Sequence, residues 1–188
     1  TGQVIKPVNT TITLIYFDIE NELVVAPSTG EKMTFGKAVR LEKPSFLILN
    51  FGINGLNRNY GAYGDQQKEL FRSQYRSLID IVKKESPDTQ IIIQSVYPVA
   101  DVADCEETFG CNAKEANTRI DAVNAWLKSL AESVGVKYTD SADALKDTNG
   151  NLDLNYLNDP NDCKHLNARG YTAVLQYLRQ HAHPGYFE

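Results

Sequence analysis

Two apolar runs, residues 46–51 and 90–96, stand either side of a stretch patterned at helical spacing, and this order constrains the fold more than any other feature. Phe46-Leu47-Ile48-Leu49 leads to Phe51, and Gln90-Ile91-Ile92-Ile93-Gln94-Ser95-Val96 is nearly as apolar. Short continuous runs of this kind read as strands covered on both faces. Between them Leu70, Phe71, Tyr75, Leu78, Ile79 and Val82 recur at three- and four-residue intervals, one face of a helix that Pro87-Asp88 closes. A second helix carries Ile120, Val123, Leu127, Leu130 and Val134 on one face and ends at Gly135, before a short strand over residues 136–139. Strands separated by helices predict an α/β fold, a three-layer sandwich with a mostly parallel central sheet. Right-handed crossovers then bring the loops at the strand carboxyl ends to one edge, where ligands of such sheets bind.

The remaining segments are read less directly. Residues 11–17 and 23–26 are β-rich, residues 27–30 form a turn, and residues 31–41 can form a short helix that Gly36 weakens and Pro44 stops. Residues 97–111 read as a long loop and residues 140–161 as a polar stretch. The last helix begins near Ala168 and places Tyr171, Val174, Leu175 and Leu178 inward.

At 188 residues the chain fits one domain, residues 1–188. No run approaches the roughly 18 apolar residues a membrane span needs. The net charge is −5 with no basic cluster, which argues against nucleic acid as a partner. Three cysteines are too few for a disulfide framework. Cys105 and Cys111 bracket a short polar loop and are either paired or free, and pairing would suit an exported protein. No Cys/His spacing suggests zinc and no glycine-rich loop suggests a nucleotide, so neither metal nor cofactor is expected. The chain opens on Thr1-Gly2-Gln3, neither a start methionine nor a signal peptide, so a removed leader or a longer parent chain is expected.

The chemistry concentrates near the end, in Asp162-Cys163-Lys164-His165-Leu166-Asn167-Ala168-Arg169-Gly170-Tyr171. An acid three residues before a histidine can supply a base and its orienting carboxylate from one loop. Asn167 can cap the helix that follows and hold that loop rigid. Upstream, the apolar strand runs into Phe51-Gly52-Ile53-Asn54-Gly55, and after the Val24-Val25-Ala26 run comes Pro27-Ser28-Thr29-Gly30.

These segments resemble the SGNH (GDSL-type) hydrolase family, from about residue 23 to the end. Asp162 and His165 correspond to the family's Asp-x-x-His pair, and Gly52-Ile53-Asn54 to its Gly-x-Asn block, with Gly55 where aspartate is usual. Gly30 is the weaker match to the second-block glycine. The resemblance implies a serine esterase or acylhydrolase acting on esters, acetyl esters among them, of a carbohydrate or lipid. His165 would be the base and Asp162 its orienting carboxylate, with Asn54 and Gly30 as oxyanion donors. Asn54 and His165 should then lie about one substrate width apart. Asp159 has the wrong spacing to replace Asp162, and Cys163 is poorly placed to be activated by His165. His181 and His183 read as solvated.

The family's Gly-Asp-Ser nucleophile block is not found in these residues. Thr1-Gly2 resembles the trailing end of such a block, so the serine is expected upstream of Thr1. Ser28 is the in-chain alternative, with Ser45, Ser95 and Ser141 as further serines beside expected strands. A catalytically incomplete domain of the same fold, binding a glycan or another partner, is the competing reading. Export or surface display is the expected location, with the cytoplasm as the alternative.

Overall fold

The computed structural model describes residues 3–8, 14, 18–21, 23–56 and 65–181. The elements are β1 (Lys6–Pro7), β2 (Leu23–Val25), β3 (Lys32–Thr34), α1 (Phe35–Glu42), β4 (Phe46–Leu49), α2 (Asp65–Glu85), β5 (Gln90–Gln94), α3 (Asp104–Phe109), α4 (Ala113–Val134), β6 (Lys137–Thr139) and α5 (Ala168–His181). β4, β5 and β6 form one sheet in that order, and β5 pairs with β6 in parallel, Ile93 opposite Tyr138. The chain is therefore α/β with a parallel sheet between helical segments. Among the described residues no helix is long and apolar enough to cross a membrane.

The chain divides into two compact units, the first made of Thr1–Leu47 and Tyr63–Ile91. Here β1, β2 and β3 form an antiparallel sheet, with Val24 opposite both Pro7 and Met33. Of residues 11–17, expected as a strand, only Leu14 is among the described residues, and it is buried. The helix expected from residue 31 starts only at Phe35, because residues 32–34 gain more by pairing with β2 than by extending α1. α1 packs on α2 at Gly36, where a β-carbon would already touch Ile81 at 3.4 Å. Phe71, Tyr75, Leu78, Ile79 and Val82 of α2 are buried as the spacing predicts, whereas Leu70 is exposed. Arg40 and Glu85 join the two helices through an ion pair.

The second unit comprises Ile48–Ala62 and Ile92–Glu188. Its core is Ile92 and Ile93 of β5 with Ile120, Leu127 and Leu130 of α4, all at most 2% exposed. Asn112 caps α4 by accepting from the Glu115 N–H, and Gly135 closes it. The expected loop of residues 97–111 contains α3, too short to show helical spacing. On α5 only Val174 and Leu178 of the four expected inward residues are buried, while Tyr171 and Leu175 are more than half exposed. The expected strand over residues 46–51 ends at Leu49, with residues 46–48 half-buried rather than fully covered.

Past the end of β5 the backbone finds side-chain partners. The Asn124 amide accepts from the Val96 N–H at 2.8 Å and donates to the Val96 carbonyl at 3.0 Å. Asn117 does the same for Val99, at 2.8 and 3.0 Å. These two asparagines lie on the buried face of α4, in line with its leucines, and satisfy groups no strand reaches. Gly52, after β4, has φ 147°, and a β-carbon there would sit 2.5 Å from Val96 Cγ2. Only glycine fits at that crossing.

Two stability measurements check these features. Asn124→Ala leaves both backbone groups of Val96 buried and unpaired and should cost about 2–4 kcal/mol in urea unfolding, against under about 0.5 kcal/mol for exposed Asn149→Ala. An equal cost for the two would remove the clamp from the account. Gly52→Ala should cost about 2 kcal/mol or more, and adding Val96→Ala should recover only part, since it relieves the collision and not the backbone strain.

Candidate functional site

The loop before α5 is built by its own short polar side chains. Asp159 accepts from the Asn161 N–H, and its backbone carbonyl accepts from the Asp162 N–H, so Asp159 shapes the turn rather than meeting His165. Leu157 and Leu166 form a β-bridge, with the Asn158 N–H donating to the His165 carbonyl at 2.9 Å. Asn167 caps α5 as the sequence predicts, its Oδ1 accepting from the Gly170 N–H at 3.0 Å. Its amide nitrogen also donates to the Asn155 and Leu157 carbonyls at 2.8 and 2.9 Å. One side chain thus fixes both the helix start and the strand that flanks His165.

Cys163 is held from both sides. Its carbonyl accepts from the Ala100 N–H at 2.8 Å, and its N–H donates to Asp104 Oδ2 at 3.2 Å. Nearby, the Lys164 ammonium lies 5.9 Å from the centre of the Phe109 ring. The loop is therefore anchored to the segment that follows β5 and to α3.

Within this frame Asp162 gathers three donors. Oδ1 accepts from the Lys164 N–H at 2.9 Å and the His165 N–H at 3.2 Å, and Oδ2 is hydrogen-bonded to Nδ1 of the His165 ring. Partial burial pushes the carboxyl pKa up, but the bonds from Lys164 and His165 outweigh it and hold Asp162 below the usual carboxylate range. The His165 side chain is 65% exposed, so Nε2 is left on the open side of the ring. A carboxylate on Nδ1 selects the tautomer in which Nε2 can accept a proton, the arrangement general-base chemistry requires.

The other expected residues belong to other segments of the chain. Asn54 lies half-buried on the one-turn helix Ile53–Gly55 directly after β4, in the same unit as Asp162 and His165. Gly30 belongs to the first unit and has φ 73°, and its N–H donates to the Ala26 carbonyl at 2.8 Å. That amide closes the turn after β2, so the oxyanion role expected of it would require the turn to open. The Ser28 hydroxyl donates to Glu42 Oε1 at 2.7 Å. Ser95 Oγ accepts from the Ala142 N–H and Ser141 Oγ from the Gln94 amide, both buried, while Ser45 is exposed in the first unit. Among the described residues no serine hydroxyl is hydrogen-bonded to His165, and no group of three or more His, Cys, Asp or Glu is arranged to hold a metal. Clefts of about 480 and 630 Å³ occur in the first unit and contain none of Asp162, His165 or Asn54.

Cys105, Cys111 and Cys163 are buried, with no disulfide bond among them in this structure. The hydrogen-bond partner of the Cys105 thiol is Cys163 of the site loop. Sequence reasoning missed this, and it also missed Asn117 and Asn124, although both fall on the apolar face of an otherwise regular amphipathic helix.

Similarity to known proteins points the same way as the loop geometry. Among solved structures the chain is similar to a Streptococcus pneumonia protein named for platelet activating factor, with 23% identity, a TM-score of 0.60 and coverage of 72% of this chain and 58% of that one. A GDSL-like lipase from Bacteroides thetaiotaomicron matches with 19% identity, a TM-score of 0.57 and coverage of 77% and 69%. A Bacteroides fragilis protein assigned as an acylhydrolase matches with 18% identity, a TM-score of 0.56 and coverage of 77% and 68%. The chain thus spans under two thirds of the first of these relatives and slightly more of the other two. No curated protein matched the chain. A model of the GDSL-like lipase/acylhydrolase family matches residues 26–173, well over half of the sequence, and the chain belongs to that family.

Proposed function

We propose that this chain carries the acid–base half of a serine acylhydrolase site and acts on esters of a carbohydrate or lipid, with acetyl as the first acyl group to test. The observation that carries the reading is the Asp162 carboxylate bonded to Nδ1 of an exposed His165. Nε2 of His165 removes the proton from a serine hydroxyl as its oxygen attacks the ester carbonyl, then returns it to the departing alkoxide. Asp162 keeps the ring in the right tautomer and stabilises the imidazolium formed in between. The tetrahedral intermediate places negative charge on the former carbonyl oxygen, toward which Asn54 donates a side-chain N–H. The Gly30 amide joins as a second donor only by exchanging its bond to Ala26. Water hydrolyses the acyl-serine by the same base in a second round.

The nucleophile in this reading is a serine presented from sequence upstream of Thr1, in a protein exported or displayed at the surface. Ser28 is the in-chain alternative and would have to leave Glu42. The second, competing reading is a catalytically incomplete domain that binds a glycan; both readings expect no serine of these residues bonded to His165, as is the case among the described residues.

A longer natural chain and these 188 residues, assayed side by side on p-nitrophenyl acetate and acetylated oligosaccharides, separate the readings. The longer chain should turn over and be labelled by a fluorophosphonate at a serine upstream of Thr1. In it His165→Ala should lower kcat by about 10³-fold or more, and Asn54→Ala by about 10²–10³-fold. An unchanged rate in His165→Ala would assign the base elsewhere. Glycan binding without turnover in either chain would favour the second reading. Turnover dependent on His165 in the 188 residues alone would place the nucleophile within them.

The Asp162 shift gives a pH test with a definite sign. A carboxyl whose folded pKa is depressed adds stability above its unfolded value, about 3.9, and loses it as pH falls through the folded value. The Tm difference between the parent and Asp162→Asn should shrink as pH falls below about 4. A difference that keeps growing below about pH 4 would mean that Asp162 is not stabilised as the anion.

A further inference from the structure

We propose that Cys105 and Cys163 form an intramolecular disulfide that staples the Asp162–His165 loop to the start of α3. Cys163 is pinned through its carbonyl to Ala100 and through its N–H to Asp104, the residue immediately before Cys105. Asp104 is itself steadied by a hydrogen bond from the Thr108 hydroxyl at 3.1 Å. These bonds bring Cys163 beside the residue that precedes Cys105, and both cysteines are buried, Cys105 1% and Cys163 0% exposed. The Cys163 thiol hydrogen-bonds Cys105, which lowers the pKa of Cys105 despite the opposing effect of burial, while Cys163 is raised by the same bond and by burial. Cys111 is also buried but sits beyond α3.

The chemistry is thiol–disulfide exchange with a small disulfide such as oxidised glutathione. The thiolate of one of the two cysteines attacks one sulfur of the oxidant and one glutathione leaves. The thiolate of the other cysteine then attacks the protein sulfur of the mixed disulfide and the second glutathione leaves. Both S–H bonds break, one S–S bond forms, and the two protons and two electrons end on two molecules of glutathione. Because both sulfurs are buried, the exchange runs fastest while the loop is open, during folding. The cross-link closes a long stretch of chain and fixes the residue adjoining Asp162, so its benefit is greatest where the unfolded chain has most freedom to lose.

The proposal does not depend on the hydrolase reading and is tested without measuring turnover. The 188-residue chain is refolded with reduced or oxidised glutathione, alkylated after denaturation, and digested at lysine, arginine and glutamate, since Glu106 and Glu107 separate Cys105 from Cys111. The expected product of the oxidised arm is a Cys105–Cys163 cross-linked peptide pair with Cys111 alkylated. Its Tm should exceed that of the reduced arm by about 5 °C or more. The difference should survive Cys111→Ser and vanish in Cys163→Ser. A Cys105–Cys111 link, or three alkylated cysteines after oxidation, overturns the proposal. The peptide map comes from the unsubstituted chain, so a poorly folding variant does not decide the outcome.

Discussion

Backbone that leaves a sheet must still be hydrogen-bonded, and the way this chain meets that requirement between Val96 and Ala100 organises the second unit. Burial removes water as a partner, and an unpaired buried amide costs about as much as a whole native hydrogen bond contributes, or more. Asn124 takes both groups of Val96 and Asn117 both groups of Val99. The Val99 carbonyl has room for a second donor, the Leu152 N–H, and the Ala100 N–H reaches the Cys163 carbonyl. Segments distant in sequence thereby hang from one short stretch. The site loop is among them, which is why an exposed histidine can still sit on a fixed backbone.

The Asp162 carboxylate shows how a short loop reconciles two opposing demands. An orienting acid must remain ionised, which favours water, and must hold a single geometry, which favours burial. Three N–H donors substitute for water, two from the backbone of the loop and one from the ring it orients. The same bonds that shape the turn therefore keep the charge. Sequence spacing alone allows this because a side chain at position i reaches the amides at i+2 and i+3 in a tight turn.

What could be read in the sequence was whatever depends on local patterns. The helical spacing of Phe71, Tyr75, Leu78, Ile79 and Val82 gave the buried face of α2, and Asn167 announced the start of α5. The Asp-x-x-His spacing brought Asp162 to His165 because both lie in one turn. Pairing between distant segments was less legible. Residues 32–34 carry no sign that β2 will claim them, and α3 is too short to declare a period. Tyr171 and Leu175 satisfy helical spacing, yet α5 buries only a narrow stripe through Val174 and Leu178. The Gly30 amide looked available in sequence, but the turn it closes uses it first. The bond from the Cys163 N–H to Asp104, next to Cys105, joins positions 59 residues apart, which no local pattern reveals.

The two asparagines of α4 also tie together two different rulers. Asn117 and Asn124 are seven residues apart, a helical rise of about 10.5 Å, and they meet Val99 and Val96, whose three-residue extended separation spans about 10 Å. The helix and the extended segment run in opposite directions and are commensurate over this one interval. A residue inserted or deleted between the two asparagines would rotate one of them by roughly 100° and put it out of reach of its partner. An indel between Val96 and Val99 would shift the spacing by a full strand residue and turn the backbone groups away. Substitutions in either segment can be absorbed one at a time, but a change in its length cannot. Relatives that keep both asparagines should therefore vary in length everywhere except across these two intervals.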